Sequence, residues 1–394
     1  QRFNSLTRRY LDMPQSDMPG RFVYVRDLDS GESWSVTGHP IGDPEQFRST
    51  IGLGYTRVET KTSGLRQEAL FFVPKNPDEV EQGSQDPCEV WRISLKNEGG
   101  ASRRLRLFSY SEWVMGDVLQ DMKDAPFFKL FRSARYEDGV IFGRNSRWGA
   151  PGRGREPWPY QVFLTSTRQP VAWELSTLGF VGMGRTLANP VALERGELSN
   201  QEAFSGDNVC GCLAWDLDIA PGESASLDII LGLVPDGESR FECLPWKYRE
   251  AVVVDEALET TKDWWRRFVS SIEVETPDAA LNDMVNVWNK YQIHMTLAFG
   301  HGPSYFHGNQ HATMRDSMQD SYGLIPLDPA WARRTILRAM SFQYSDGSPS
   351  YASNRMGMPE AKWDKVDLPV WLALTVHNYL AETGDWQILD ERVG

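Results

Sequence analysis

The sequence has little cysteine, no long apolar run and no excess of positive charge. It holds 4 cysteines among 394 residues, too few for a disulfide framework in a chain of this length. Its apolar stretches fall well short of the roughly 20 residues that span a bilayer. Lys and Arg number 41 against 54 Asp and Glu, which gives a formal charge of −13. This balance argues against nucleic acid and anionic membranes as partners, because both need a basic patch.

The cysteines also bear on the cellular compartment. Cys210 and Cys212 form a C-x-C pair, and neither Cys88 nor Cys243 supplies a second pair at metal-binding spacing. We therefore predict buried or free thiols in a reducing cytoplasm, with an exported protein that has lost its signal as the alternative.

Aromatic residues are abundant, with 15 Trp, 13 Tyr and 18 Phe. They suit aromatic-lined clefts, but a large core explains them as well. The hydrophobic fraction of 41% and the charged fraction of 24% are typical of a globular protein. The length alone predicts two or three domains.

The first 245 residues have the pattern of antiparallel β-structure. Apolar and polar side chains alternate through residues 91–96 and 104–107, and Leu227, Ile229, Leu231 and Leu233 share one face. Many such runs, separated by glycine-containing turns, predict a large β-sandwich.

From about Tyr248 the apolar spacing becomes helical. We predict helices over 251–271, after Thr276 as N-cap with Pro277 at the first position, after Asp328-Pro329, and up to Gly384. Residues 386–390 resemble the start of another helix. The segments Gly300–Thr313 and Tyr344–Asp364 are predicted to be long loops, where sites commonly lie.

Histidines cluster after residue 290, at positions 294, 301, 307, 311 and 377. His307 and His311 are four residues apart, but the surrounding glycine and proline predict a loop rather than a helical metal site. We expect no metal, and we expect His301, His307 and His311 to line a pocket.

Two polar clusters are candidates for chemistry. In residues 314–320, Arg315 offers a planar fork of donors, and Asp316 and Asp320 offer acceptors, which together suit adjacent sugar hydroxyls. The alternative is a capping box of Ser317 and Asp320, with Arg315 paired to a local acid.

The second cluster is residues 363–371, where Asp367 precedes a helix that begins near Pro369. Asp367 is either a chemically idle carboxylate at the helix start or a general acid beside Trp371. Burial would raise its pKa and the helix terminus would lower it, so the sequence leaves the sign open.

The order of several short motifs resembles the cellobiose and chitobiose phosphorylases of glycoside hydrolase family 94. These motifs are residues 20–27, 32–35, 52–58, 71–74, 187–190, 194–196, 287–292, 315–320 and 382–386. The resemblance implies an N-terminal β-sandwich, a helical linker and an (α/α)6 barrel. It also implies a dimer, paired through the β domain and the linker.

For function, the resemblance implies an inverting phosphorylase that cleaves a β-glycosidic bond with inorganic phosphate and yields an α-sugar 1-phosphate. Asp367 matches the family's general acid, and Arg315 and Asp316 match its donor-sugar pair. Asp320, Gln292, Gln310, Lys365 and Trp371 are expected to contact substrate. No cofactor other than phosphate as co-substrate is expected.

The chain departs from the family pattern at three positions. Leu368 replaces a second acid after Asp367, Lys365 replaces a tryptophan, and Asn309 and Gln310 stand where the family tends to have an arginine. These changes predict a remodelled donor subsite, with another sugar, an unusual acceptor or weakened activity. The alternatives to a phosphorylase are a non-catalytic carbohydrate-binding or scaffold protein, and a phosphate-independent hydrolase or transglycosylase.

The resemblance divides the chain into a β-sandwich over 1–247, a helical linker over 248–275 and the start of the barrel over 276–394. Residues 276–394 hold about four helices of typical length, far fewer than twelve. We therefore expect a fragment whose first strands and second barrel half are absent, to be completed by a missing segment or a second chain.

Overall fold

The computed structural model describes residues 5–7, 9–10, 18–75, 85–149, 155–204, 206–299, 311–350, 352–354, 359–361 and 366–393. The chain divides into two compact units, each described separately below. The β unit comprises Arg2–Asn76 and Gln85–Thr261, and the helical unit comprises Lys262–Gly394. The division falls within the segment that the sequence predicts as a linker.

The β unit contains sixteen strands in its described part. Its strands are β1 (Ser5–Thr7), β2 (Arg9–Tyr10), β3 (Met18–Pro19), β4 (Arg21–Asp27), β5 (Ser33–Ser35), β6 (Gln46–Gly52), β7 (Tyr55–Thr62), β8 (Leu65–Phe72), β9 (Cys88–Asn97), β10 (Arg103–Gly116), β11 (Arg132–Glu137), β12 (Val140–Asn145), β13 (Tyr160–Ser166), β14 (Ala172–Ser176), β15 (Val209–Ile219) and β16 (Ser224–Pro235). Its helices are α1 (Val118–Phe128), α2 (Thr177–Val181), α3 (Val191–Arg195) and α4 (Leu244–Lys247), with 3₁₀ turns at Lys129–Phe131 and Ser239–Phe241. The longer α5 (Ala251–Val269) begins in this unit, and its last eight residues belong to the helical unit.

The strands form two large antiparallel sheets. One has the order β14-β15-β10-β4-β5, with β1 added on β10, and the other has the order β11-β12-β13-β16-β9-β8-β7-β6. The alternating segments predicted from the sequence lie in β9, β10 and β16, and Leu227 of β16 is directly opposite Ile93 of β9. The predicted N-terminal domain of antiparallel β-structure is confirmed.

The two sheets meet face to face. The Trp34 indole at the edge of the smaller sheet donates to the Gln67 side chain of β8 at 2.8 Å, and Trp215 of β15 donates to Ser166 of β13 at 3.0 Å. Trp91 and Trp113 are also fully buried. The large number of aromatic residues therefore fills this core to a substantial extent, each ring burying a large apolar area.

Helices cover the other face of the larger sheet. Leu70 and Phe72 of β8 belong to one buried cluster with Tyr248, Val254 and Leu258. The apolar side chains of α5 recur at helical spacing, so this helix buries one stripe against the sheet. Burial of each such side chain contributes roughly 1.5–3 kcal/mol.

The helical unit has five α-helices in its described part. It contains α6 (Ala279–Asp283), a π-helical turn Met284–Trp288, α7 (Asn289–Phe299), β17 (His311–Thr313), α8 (Met314–Leu324), α9 (Pro329–Met340), β18 (Ala352–Asn354), β19 (Pro359–Ala361), α10 (Leu368–Thr383) and a 3₁₀ turn Trp386–Asp390. The predicted helix start at Asp328-Pro329 and the helix end at Gly384 are confirmed.

The predicted N-cap at Thr276 is wrong. The cap is Asp278, whose carboxylate accepts from the backbone N–H groups of Ala280 and Leu281, so Pro277 precedes the helix. The Thr276 hydroxyl bonds to the side chain of Asn282 at 2.7 Å instead.

The two predicted long loops are not wholly irregular. Thr313 pairs with Ala352, and Ala352 pairs with Ala361, so β17, β18 and β19 form a three-stranded antiparallel sheet. These strands are held by backbone hydrogen bonds and are too short to show an apolar period. The sequence therefore did not predict them. Among the described helices, none is both long and apolar enough to span a membrane.

Candidate functional site

Three of the predicted site residues lie together where α8 and α10 begin. Arg315 is in the first turn of α8, and Asp367 immediately precedes α10. The Nη1 atom of Arg315 donates to Oδ2 of Asp367 at 3.2 Å, and its Nε lies 3.6 Å from Oδ1 of Asp316. One guanidinium therefore faces two carboxylates, an arrangement with donors and acceptors for several hydroxyl groups.

A side-chain hydrogen bond from the residue that precedes α8 holds Asp316. Thr313 occupies the N-cap of α8, and its hydroxyl donates to Oδ2 of Asp316, three residues later. The predicted capping box of Ser317 and Asp320 is wrong, because both residues lie inside α8. The ion pair between Arg315 and the neighbouring acid, which the sequence offered as an alternative, exists alongside the contact with Asp367.

Asp367 stands at the N-cap of α10, but its side chain makes no capping bond to the helix backbone. Partial burial would raise the pKa of Asp367, but the hydrogen bond and charge of Arg315, with a contribution from the Trp371 side chain, lower it below the usual value. The Asp367 side chain is 41% exposed. In this arrangement Asp367 is therefore ionised at neutral pH and reachable by a ligand.

The same two helices bring two aromatic rings into contact. Trp371 follows Asp367 by one helical turn, and Tyr322 of α8 meets its ring edge-on at 6.2 Å. Among the described residues the buried Tyr322 hydroxyl has no hydrogen-bond partner. Tyr322 was not among the predicted site residues, although its spacing of seven residues from Arg315 places both on one side of α8.

Close packing fixes the positions of these helices. Met318 of α8 is fully buried, and Thr375 of α10 donates to its carbonyl at 3.4 Å. Gly323 allows α7 to approach α8, since a Cβ there would lie 2.7 Å from Ile293. The Arg315–Asp367 contact therefore rests on a packed scaffold rather than on two free loops.

The other predicted contacts are not assembled in the same way. Gln292 is exposed on α7, and no hydrogen bond within the described ranges joins it to Arg315 or Asp367. Asp320 is half-buried on α8. Gln310 and Lys365 lie outside the described residues, so their roles stay predictions.

The histidines are dispersed where they can be described. His294 is buried among the rings of Trp264, Trp265, Phe268 and Trp331. His377 is exposed on α10, and His311 begins β17. His301 and His307 lie outside the described residues. In the described part of the chain, no three His, Cys, Asp or Glu side chains are grouped to hold a metal ion.

Several residues of the sequence motifs serve the fold. Asp27 ends β4 and accepts from Arg103 at 2.6 Å. Asp385 accepts from the Tyr379 hydroxyl at 2.8 Å and from Arg333 at 3.0 Å. Lys290 donates to the carbonyls of Val269 and Ile272, at and just after the end of α5. These residues stabilise turns and helix ends rather than contribute to the candidate site.

Comparison with known proteins supports the resemblance along the chain. The sequence model described as "Glycosyl hydrolase 94, supersandwich domain" matches residues 1–251. The model described as "Glycosyl hydrolase 94 superfamily, catalytic domain" matches residues 264–394. Both the Arg315 and the Asp367 segments fall in the catalytic-domain match.

Two relatives of the chain are phosphorylases. The chain is 25% identical to N,N'-diacetylchitobiose phosphorylase of Vibrio proteolyticus, over 96% of this chain and 48% of the relative. It is 26% identical to solabiose phosphorylase of Paenibacillus borealis, over 95% of this chain and 45% of the relative. The chain thus spans about half the length of these relatives.

A solved structure shares the fold. A bacterial glucoamylase complexed with acarbose superposes with a TM-score of 0.58 at 8% identity, over 92% of this chain and 50% of that one. The family matches cover nearly the whole sequence, and on that ground the chain belongs to glycosyl hydrolase family 94.

Proposed function

We propose that this chain forms part of an inverting glycoside phosphorylase acting on a β-linked di- or oligosaccharide. The observation that carries the proposal is the Arg315–Asp367 contact at 3.2 Å, which joins the candidate acid to the candidate sugar-binding pair inside the catalytic-domain match. The relatives that act as phosphorylases support the same class of reaction.

In the proposed reaction, Asp367 gives its proton to the bridging oxygen as the glycosidic C–O bond breaks. A phosphate oxygen attacks the anomeric carbon from the opposite face, and the product is an α-sugar 1-phosphate. Because phosphate is already an anionic nucleophile, no second carboxylate is needed to activate water, in contrast to an inverting hydrolase. Phosphate is the co-substrate and no other cofactor is required.

Asp367 must be protonated before it can act as an acid. In the resting arrangement, Arg315 holds the pKa of Asp367 below its usual value. When sugar hydroxyls take up the donors of Arg315 and exclude water, Asp367 loses its ion-pair partner and its pKa rises. Binding of the donor sugar therefore raises the pKa of Asp367, so that the carboxyl group can carry the proton that it gives to the bridging oxygen.

The remaining predicted residues are proposed to contact the substrate. Arg315, Asp316 and Asp320 hold the donor sugar, Trp371 offers an aromatic face, and Gln292, Gln310 and Lys365 line the pocket. Lys365 and Gln310 replace residues common in the family, so they set an altered donor or acceptor preference.

The helical unit is proposed to be the start of an (α/α)6 barrel in a cytoplasmic dimer. Helix α10 is rich in apolar residues, and Val370 and Leu374 are exposed opposite the buried Leu372 and Tyr379. A helix with this composition is usually covered on both faces. Further helices, from a longer chain or a second chain, would cover the exposed face.

Reverse synthesis tests the proposal. The complete enzyme is given α-sugar 1-phosphates with sugar acceptors, and released phosphate is measured. Asp367→Asn should lower turnover by about 10²–10⁴-fold in both directions, whereas the exposed Asp390→Asn should leave it unchanged. Near wild-type turnover in Asp367→Asn would refute the assignment of Asp367 as the general acid. Glycoside cleavage that continues without phosphate would indicate a hydrolase.

A further inference from the structure

Trp246 is an exposed aromatic residue in a unit that buries most of its indole rings. It lies in α4 and is 40% exposed, whereas Trp91 and Trp113 of the same unit are at most 1% exposed. Its ring is nevertheless fixed, because Phe142 of β12 meets it edge-on with the two ring centroids 6.1 Å apart. A fixed and exposed indole offers an apolar face to a ligand and loses little side-chain freedom on binding.

The guanidinium group of Arg249 lies over the same ring. Its central carbon is 5.7 Å from the centroid of the Trp246 indole. The guanidinium donates from Nη1 to the backbone carbonyl of Asp138 at 3.0 Å, and from Nη2 to Oε1 of Gln169 at 2.7 Å. Its Nη1 also lies 3.5 Å from Oδ2 of Asp138. Arg249 therefore joins the aromatic ring to one acidic and one amide side chain.

The hairpin between β11 and β12 brings Asp138 to this place. Asp138 has φ of 45° and Gly139 has φ of 81°, the left-handed conformations that a two-residue hairpin turn needs. A Cβ at Gly139 would lie 2.8 Å from Oε1 of Gln169 and 3.2 Å from Nη2 of Arg249. Glycine thus lets the hairpin, Gln169 and Arg249 approach closely, so the polar groups are held in defined positions.

The polar groups beside the ring can form further hydrogen bonds. The Asp138 side chain is 75% exposed, so its carboxylate can accept from a ligand. Gln169 is exposed as well, and the atom that faces Arg249 is its amide oxygen, because a guanidinium only donates. The NH₂ group of Gln169 is therefore the part that can donate to a ligand. One acceptor and one donor, both held by Arg249, lie beside an exposed aromatic ring.

These features favour a sugar ring as the ligand. A pyranose with equatorial hydroxyls has a flat C–H face that packs on an indole, and each of its hydroxyls both donates and accepts. The charges of Asp138 and Arg249 offset one another, which favours a neutral ligand over an ion. A stable protein interface needs roughly 800 Å² on each side, whereas the feature described here is one ring bordered by polar groups.

We propose that Trp246, Asp138 and Gln169 form a carbohydrate-binding site on the β unit, which takes a pyranose unit of a β-linked glucose oligosaccharide. The sugar packs on the exposed part of the indole, one hydroxyl donates to the Asp138 carboxylate, and a neighbouring hydroxyl accepts from the Gln169 amide. Arg249 positions both polar groups. The inference concerns the β unit alone and does not rest on the chemistry proposed at Asp367.

Fluorine NMR of the full chain labelled with 5-fluorotryptophan tests the site. Loss of one signal in Trp246→Phe assigns the resonance of Trp246. Titration with cellotetraose should shift this resonance until the site is saturated, whereas sorbitol, which has hydroxyls but no ring, should not shift it. Asp367→Asn should leave the shift with cellotetraose unchanged, so a failure of the proposed catalysis is distinguished from a failure of this site.

Two conservative variants test the hydroxyl contacts. Asp138→Asn keeps a residue that suits the hairpin turn but removes the charged acceptor, and Gln169→Glu keeps an acceptor for Arg249 but removes the donor. Each should raise the dissociation constant for cellotetraose about ten-fold. Asp218→Asn, at an exposed acid on β15 of the smaller sheet, should leave it unchanged.

Two results would overturn the proposal. An unshifted Trp246 resonance, or an equal shift with sorbitol, would show that the ring does not bind a sugar and would leave it to a protein partner. Wild-type affinity in both Asp138→Asn and Gln169→Glu would overturn the hydroxyl contacts.

Discussion

Arg315 at the start of α8 and Asp367 at the start of α10 form an ion pair of 3.2 Å, although 52 residues separate them in the sequence. The pair brings the proposed proton donor into contact with the proposed sugar-binding residue. It also gives Asp367 a partner other than its own helix, which distinguishes it from an idle carboxylate at a helix start.

Replacement of Arg315 should change the titration of Asp367. In Arg315→Gln the pKa of Asp367 should rise, because the charge and hydrogen bond that lower it are lost. Carbon-13 NMR of the aspartate carboxyl groups against pH measures the change, with Asp367→Asn to assign the signal. Arg333→Gln, which breaks the separate pair with Asp385, should leave Asp367 unaffected. An unchanged Asp367 titration in Arg315→Gln would refute the coupling.

Asp27 should matter for stability rather than activity. Asp27→Ala should lower the free energy of unfolding of the β unit by about 3 kcal/mol, because it leaves the Arg103 guanidinium without its carboxylate. The turn N–H groups of Asp29 and Ser30 also lose their acceptor. Urea denaturation measures the loss. Asp29→Ala breaks only the exposed pair with Arg104 and should change little.

The Asp27 contribution should also depend on pH. Burial would raise the pKa of Asp27, but hydrogen bonds from Ser30, Arg103 and Asp29 lower it below the usual value. A lowered pKa in the folded state stabilises the protein above the ordinary pKa of aspartate, and this contribution is lost as the pH falls through the folded value. The stability difference between wild type and Asp27→Ala should therefore shrink below about pH 4. A constant difference down to pH 2 would contradict this assignment.

Gly384 should be sensitive to substitution for conformational reasons alone. It ends α10 with φ of 66°, its N–H donates to the Leu380 carbonyl at 2.9 Å, and an added Cβ would meet no neighbour within 4 Å. Gly384→Ala should lower the stability of the helical unit by about 1 kcal/mol, and Gly384→Asn by less, because asparagine adopts left-handed backbone conformations more readily. Thermal unfolding checks the order. Equal losses for both variants would point to a cause other than backbone conformation.

Lys290 should stabilise the end of α5. Its ammonium donates to the carbonyls of Val269 and Ile272, and the side chain is buried. Lys290→Met keeps the length of the side chain but leaves two carbonyls without their donor, which should lower the free energy of unfolding by about 2 kcal/mol. Denaturation of the exposed-site control Arg392→Met should match wild type. A neutral effect of Lys290→Met would mean that water replaces the ammonium.

The sequence predicts those elements whose local chemistry is strong. Strands β9 and β16 are half-buried, so their apolar residues alternate, and Asp328 with Gly384 marks helix boundaries by hydrogen bonding and backbone conformation. Strands β17 to β19 were not predicted, because a strand of three residues is too short to show an alternation of apolar and polar side chains. The N-cap prediction at Thr276 was wrong because the carboxylate of Asp278, two residues later, is the stronger acceptor of hydrogen bonds from the helix N–H groups.

The site was only partly predictable. Residue types nominated Arg315 and Asp367, and the family resemblance gave them roles, but the contact between them depends on the packing of α8 against α10. Tyr322 was missed because a tyrosine in a helix has no local signature of function. The sign of the Asp367 pKa shift needed the position of Arg315, which lies far away along the chain.

The positions of the cysteines allow unfolding of the β unit to be followed by thiol labelling. All four lie in the β unit, with Cys88, Cys210 and Cys212 buried and Cys243 exposed. A thiol-reactive dye should therefore modify one site per folded chain and four once that unit unfolds. Because the helical unit has no cysteine, the rate at which the extra sites become labelled measures the opening of the β unit separately from everything else in the chain.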